Sequence, residues 1–249
     1  MTDPKTRAET LRGLHSGGML VLPNVWDAAS AEIVAEAGFP AIATASAAVS
    51  AMLGYPDGEG APWQEMFAAA ARIARVAPVP VTVDAEAGYG LAPREFVDRL
   101  LETGAVGCNL EDTDHRSGGL ADADAHAGRI AEIRSAATVA GVPIVVNARV
   151  DTFLGDRGIP EPDRLAETVR RGRLYREAGA DCVYPIGVRR RDDLATLVTE
   201  LGCPVNGNVG EELDLAALRE LGVARVSYGP RFYRAALEGF RTAIGKLEG

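Results

Sequence analysis

Lysine is nearly absent from this chain. Only Lys5 and Lys246 occur in 249 residues, both close to the termini. Enzymes that form a Schiff base with a carbonyl substrate or with pyridoxal phosphate need a lysine inside the site, so neither chemistry suits this sequence. Histidine is as scarce: His15, His115 and His126 are the full set, and no pair has the spacing of a zinc-binding helix. Cys108, Cys182 and Cys203 match no metal motif and each lies in or beside an expected strand, which suits buried, reduced thiols. No Gly-x-Gly-x-x-Gly follows a strand and no Gly-x-Ser-x-Gly elbow occurs, so neither a dinucleotide site nor an α/β-hydrolase nucleophile is signalled. Basic surface is lacking too. Net charge is −9, and the one basic run, Arg189 to Arg191, precedes Asp192 and Asp193 at a helix start, so no nucleic-acid partner is expected. No apolar run approaches a membrane span, and Met-Thr-Asp-Pro-Lys is not a signal peptide, so a cytoplasmic protein without a membrane partner is expected.

What the chain does have is rhythm. Apolar runs are expected as strands over 19–22, 41–45, 79–84, 106–111, 144–149, 182–186, 204–206 and 225–228. Most are nearly continuous, as parallel strands buried on both faces must be. Between them run helical patterns such as Leu165 to Ala178 and Leu213 to Leu221, each closed by a glycine. Eight strand–helix units predict a single α/β domain over 1–249, a (β/α)₈ TIM-type barrel, with an open doubly wound sheet as the rival. The closing stretch, Arg231 to Leu247, reads as the eighth helix, packing either on its own barrel or across subunits.

Polar residues gather at the C-terminal strand ends, where barrel enzymes place their chemistry. In Val81-Thr82-Val83-Asp84-Ala85-Glu86, strand alternation turns Asp84 and Glu86 to one face, and the Gly88-Tyr89-Gly90 turn follows. Paired carboxylates there seat a hard cation such as Mg²⁺ or form a solvated strand end. Glu111 would converge with them. Arg149 sits in phase with Asn147 and Asp151, either gripping a substrate carboxylate through its fork or pairing with one of the acids. Asp57 lies in a Pro-Asp-Gly turn, and Asp27 reads as a helix N-cap. The stretch Thr113 to Gly119 has the makings of a lid, on which His115 is either an acid–base group or a solvated loop residue.

Together, Pro23-Asn24-Val25-Trp26-Asp27, Leu53-Gly54-Tyr55-Pro56-Asp57, Asp84-Ala85-Glu86-Ala87-Gly88-Tyr89-Gly90, Asn109-Leu110-Glu111-Asp112 and Asn147-Ala148-Arg149 resemble the isocitrate lyase and phosphoenolpyruvate mutase superfamily over nearly the whole chain. The resemblance implies a (β/α)₈ barrel, often with a swapped terminal helix, and a homo-oligomer, dimer or tetramer. It implies Mg²⁺, with Mn²⁺ as a substitute, held by Asp84, Glu86 and Glu111. Asp57 would then stand near metal and substrate, Arg149 would hold a small carboxylate substrate, and the amides of Ala45, Ser46 and Ala47 would take its other end. Asn206 and Tyr228, at the ends of the seventh and eighth strands, complete the expected substrate contacts. His115, Asp114 or Tyr228 would supply a proton.

Two departures from that family stand out. The lid of isocitrate and methylisocitrate lyases carries Lys-x-Cys-Gly-His, whereas Asp114 to Gly119 contains neither Lys nor Cys. The usual Asp at position 86 is Glu, a longer arm suited to a water-mediated metal contact. The expected activity is carbon–carbon cleavage of a small 2-hydroxy or 2-oxo di- or tricarboxylate through a metal-stabilised enolate. Oxaloacetate decarboxylation, phosphonopyruvate hydrolysis or isomerisation, and silent binding of a 2-oxo acid are the alternatives.

Overall fold

A computed structural model describes residues 3–155 and 157–247. Strands alternate with helices throughout. The strands are β1 (Leu20–Leu22), β2 (Asn24–Val25), β3 (Ile42–Thr44), β4 (Val81–Asp84), β5 (Gly107–Glu111), β6 (Thr113–Asp114), β7 (Gly119–Leu120), β8 (Val145–Val150), β9 (Cys182–Pro185), β10 (Asn206–Asn208) and β11 (Arg225–Ser227). The helices are α1 (Pro4–Leu14), α2 (Ala28–Glu36), α3 (Ser46–Leu53), α4 (Trp63–Val76), α5 (Pro93–Glu102), α6 (Ala123–Val139), α7 (Arg164–Glu177), α8 (Arg191–Leu201), α9 (Leu215–Glu220) and α10 (Arg231–Gly245).

Parallel pairing runs β2-β3-β4-β5-β8-β9, and a second parallel set runs β1-β11-β10. The two sets join through the parallel bridge Val183 to Val205 and through the chain itself at Pro23. Pro23 has no N–H to give a ladder, so the first barrel strand splits there. Its lower half pairs with β11 and its upper half with β3. The result is the (β/α)₈ barrel expected from the sequence, with β6 and β7 added as an antiparallel hairpin over the mouth. The seventh strand differs from expectation: its ladder runs Asn206–Asn208 rather than ending at Asn206.

Two apolar clusters hold the barrel. The larger lies between strands and helices and includes Ile42, Val81, Val83, Leu110, Val146, Phe96 and Ile130. The smaller lies inside the barrel at its N-terminal end, where Leu20, Leu22, Ala43 and Val145 meet Ala8 and Leu11 of α1. Helix α1, absent from the expected pattern, is a plug. Asp3 caps it and Pro4 sits in its first turn, both ordinary helix-start signals. Gly107 makes room for it, since a Cβ there would stand 2.7 Å from Leu11 Cδ2. Arg12 Nε (2.8 Å) and Arg134 Nη2 (2.5 Å) both donate to the Asp181 carboxylate and fasten α1 to the barrel floor.

The barrel interior above the plug is polar. Asn109 Oδ1 accepts from Asn147 Nδ2 (2.8 Å) and from Nη2 of the fully buried Arg225 (3.0 Å). The thiols behave as expected: Cys108 and Cys182 are buried and Cys203 half-buried, and burial pushes the Cys108 thiol up to about 12. Among the described residues no helix is long and apolar enough to cross a membrane.

Candidate active site

Strand β4 delivers Asp84 to the barrel mouth. Its Oδ2 accepts from the Ser46 amide (3.0 Å), the first residue of α3, and its Oδ1 from Asn109 Nδ2 (3.3 Å). A carboxylate on a helix N-terminus is favoured by the exposed amides and the helix dipole. This changes the expected substrate cradle. The Ser46 amide is engaged by Asp84, and the Ala45 amide donates to Val25 O at 3.3 Å, so two of the three backbone donors assigned to substrate already have partners.

Glu86 reaches the site by a different route from the one the strand pattern suggests. The strand stops at Asp84, and Glu86 has left-handed backbone, φ 48°. The other non-glycine residues with such backbone among those described are Glu59 (φ 57°) and Tyr89 (φ 55°). All three meet. The Glu59 amide donates to Glu86 Oε2, Tyr89 OH to Glu86 Oε1 (2.8 Å), and the Tyr89 amide to Glu59 Oε1 (2.6 Å). Backbone strain of this kind persists where surrounding contacts over-determine it, commonly at functional sites. Burial pushes the Glu86 carboxyl up to about 7, although the hydrogen bonds from Glu59 and Tyr89 oppose the rise.

Glu111, at the end of β5, is buried between His115 and Arg149. His115 Nε2 lies 2.7 Å from its Oε1, and Arg149 Nη1 lies 2.5 Å from its Oε2. Burial raises the Glu111 carboxyl, with Arg149 and His115 pulling the other way. The same contact raises the His115 ring, because the charged imidazolium is the better partner for Glu111. Arg149 is also held in fork geometry by Asp151, with Nε–Oδ1 at 2.7 Å and Nη2–Oδ2 at 2.8 Å. Burial alone would loosen its proton; Glu111 and Asp151 outweigh that, and Arg149 stays charged. Asp151 is fully buried; its Oδ2 accepts from Thr113 Oγ1 (2.5 Å) and its amide donates to Asp112 Oδ1 (2.9 Å). Asp112 in turn is held by Arg171 (3.0 Å) and Tyr175 OH (2.7 Å) of α7.

These groups surround a cleft of about 310 Å³ lined by Ser46, Asp57, Glu86, Glu111, His115 and Arg149, together with Gly58, Thr113, Gly118, Leu154 and Arg157. Asp57 is exposed at its rim, and beside it a Cβ at Gly58 would stand 3.2 Å from His115 Nδ1. Two expected substrate contacts lie elsewhere. Asn206 is fully buried below the cleft, accepting from Asn147 (3.1 Å) and Ser227 (3.0 Å). Tyr228 packs its ring on Phe232 and lines a neighbouring cleft of about 550 Å³ with Asn208 and Tyr184. Asp114 turns into the lid itself, accepting from Ser117 Oγ at 2.7 Å. Asp27 caps α2, as expected, in a capping box with Ser30. Tyr89 was marked in the sequence only by the Gly-Tyr-Gly turn and Thr113 only as the start of the expected lid; Glu59 and Arg157 were not singled out.

Among the described residues, no three Asp, Glu, His or Cys side chains stand close enough together to hold a metal ion as they are placed. The donor set still suits a hard dication. It is all carboxylate oxygen, and burial raises both Glu86 and Glu111, so a cation bound there would favour their charged forms. Asp84, Glu86 and Glu111 would hold such an ion, through water where the arms do not reach.

Acids and an arginine at the C-terminal mouth of a (β/α)₈ barrel, beneath the β6–β7 hairpin, are the arrangement of a barrel enzyme. The chain belongs to the phosphoenolpyruvate phosphomutase family, whose model matches residues 11–248. It is 37% identical over 223 residues to an uncharacterized protein of Mycobacterium tuberculosis, covering 90% of this chain and 82% of that one. It is 30% identical over 237 residues to the oxaloacetate decarboxylase of Bradyrhizobium diazoefficiens, covering 91% and 80%. Among solved structures, 2,3-dimethylmalate lyase, a member of the PEP mutase/isocitrate lyase superfamily, superposes with a TM-score of 0.87 at 27% identity, covering all of this chain and 88% of the other.

Proposed function

We propose that the chain is a divalent-metal-dependent carbon–carbon lyase that acts, as one unit over 1–249, on a small 2-oxo or 2-hydroxy di- or tricarboxylate. The observation that carries this reading is Arg149, half-buried and charged, at the floor of a cleft it shares with Glu86 and Glu111. A bound Mg²⁺ or Mn²⁺ would act as a Lewis acid on the oxyanion that develops beside the breaking bond. Arg149 offers a substrate carboxylate the Nη1 and Nη2 hydrogens that Glu111 and Asp151 leave free. Asp151 fixes the guanidinium plane. Asp57, at the rim, and His115, on the hairpin, are the candidates to take a proton from substrate or return it. The β6–β7 hairpin keeps water from the reacting carbon.

Decarboxylation of oxaloacetate is a second reading with an observation in its favour. The lid brings neither Lys nor Cys, and its one imidazole is tied to Glu111. Release of CO₂ needs no base to start it, so this site suits it. The 30% identity to an oxaloacetate decarboxylase supports the same reading. Turnover of 2,3-dimethylmalate, methylisocitrate and oxaloacetate, with Mg²⁺ and with EDTA, separates the two.

The working form is a homo-oligomer, dimer or tetramer, in this reading. Helix α10 buries none of its residues and exposes Phe232, Leu237, Phe240 and Ile244. Beside it an apolar groove of about 340 Å³ is lined by Val25, Trp26, Ile33, Val34 and Phe39. Helix α10 of a second copy is the occupant that suits it. Phe240→Glu lowers the mass measured by light scattering if so; an unchanged mass refutes the assignment.

A further inference from the structure

Asp151 and Glu111 each take part of the Arg149 guanidinium, at Nε and Nη2 and at Nη1, and leave it N–H groups for one substrate carboxylate only. A substrate with two carboxylates therefore needs another cation, and the lid has no lysine to offer. Arg157 lies on the loop after β8 and lines the same cleft. Its Nη1 donates to Gly118 O of the lid turn at 2.8 Å. Its Nε is enclosed and has no hydrogen-bond partner among the described residues. An enclosed donor without an acceptor is costly, and a planar guanidinium fork is matched best by a carboxylate. No ion pair to Arg157 occurs among the described residues, although three acids line the cleft with it.

We propose that Arg157 is a specificity-determining residue that receives the distal carboxylate of a dianionic substrate, one or two carbons beyond the unit held at Arg149. This rests on the 2-oxo acid reading of the Arg149 site. It makes the loop after β8 stand in for the missing lid lysine. Because Arg157 also holds Gly118, a ligand that draws the guanidinium inward draws the lid turn with it.

Calorimetric titration of the metal-loaded protein with two ligands tests this. Oxalate mimics only the two-carbon unit at Arg149; 3,3-difluorooxaloacetate adds the distal carboxylate. Arg157→Met should leave the oxalate Kd within about twofold and weaken difluorooxaloacetate by roughly tenfold to a hundredfold, the loss of a hydrogen-bonded charge contact. Arg157→Lys, with charge but no fork, should fall between. Equal weakening of both ligands by Arg157→Met would make the residue a lid latch only and overturn the proposal, as would no change in either. Wild-type protein that binds neither ligand contradicts the 2-oxo acid reading itself, and the proposal falls with it.

Discussion

Replacing Asp151 by Asn tests how the substrate arm is aimed. Asp151 is fully buried, and both its oxygens face Arg149, at 2.7 and 2.8 Å. Asparagine keeps one acceptor and turns an NH₂ toward Arg149 Nε or toward both Arg149 Nη2 and Thr113 Oγ1. Removing one partner of a buried pair typically costs ~3–5 kcal/mol, because the other charge is left uncompensated. Here Glu111 still touches Nη1 at 2.5 Å, which places the expected loss near the lower end, about 3 kcal/mol. The Thr113 hydroxyl also loses its charged acceptor at 2.5 Å, so Thr113→Val alone should cost about 1 kcal/mol. Urea unfolding of Asp151→Asn, Arg149→Met and the double variant measures the coupling. The double variant should be little worse than Arg149→Met alone, since the contact is already gone. Oxalate affinity of Asp151→Asn should fall as the fork loses its fixed plane. A stability loss below about 1 kcal/mol, with oxalate binding intact, would refute the argument that Asp151 sets Arg149.

Three other perturbations follow from the same structure. Burial, helped by Arg129 and Arg171, pushes the His126 ring down from 6.5 to about 4. The unfolded chain therefore takes up that proton first, and the native advantage, complete above about pH 7, drains away between 6.5 and 4; His126→Gln should escape this loss, which amounts to about 3 kcal/mol, and parallel pH profiles of the two proteins would contradict it. Glu86 has the opposite sense: its folded value, about 7, lies above the ordinary 4.5, so its burden is absent in acid and full above 7. Metal-free Glu86→Gln should be more stable than wild type at pH 8 by up to about 3 kcal/mol, equal to it near pH 4, and should lose most of the rise in Tm that Mg²⁺ gives. Gly107→Ala sets a methyl 2.7 Å from Leu11, 3.1 Å from Thr82 Oγ1 and 3.2 Å from Val145 O, so α1 must back out of the barrel floor; a cost of about 1–3 kcal/mol in urea unfolding is expected, and a neutral result would show that α1 is not tightly seated.

The barrel was legible because its strands are buried on both faces and so stand out as apolar runs ending in acids, Asn109-Leu110-Glu111 being the clearest. Helix α1 was not, since its apolar residues, Ala8 and Leu11, are few and its role as a plug depends on Gly107, far along the chain. Glu86 was expected at the mouth by strand alternation, and it lines the cleft by another route. Alternation predicts its direction only while the strand lasts, and the strand ends two residues earlier. A similar slip affects the seventh strand. Asn206 and Asn208 share a face, but the ladder begins where it was expected to end, so Asn206 lies deep in the barrel and Asn208 reaches the rim. The Asp112–Arg171–Tyr175 cluster had no local signal, because its members come from β5's end and α7 and meet only through the fold. Arg157 shared that fate: in sequence it is one arginine in a polar loop.

The most direct test of the central claim is release of a 2-oxo acid, or of CO₂, from methylisocitrate, isocitrate, 2,3-dimethylmalate, oxaloacetate and phosphonopyruvate, with Mg²⁺ and then with EDTA. Cleavage of one carboxylate substrate that is abolished by EDTA and by Arg149→Met is the predicted result. Turnover that survives both, or folded protein that binds oxalate and Mg²⁺ yet cleaves nothing in the series, would contradict the lyase assignment.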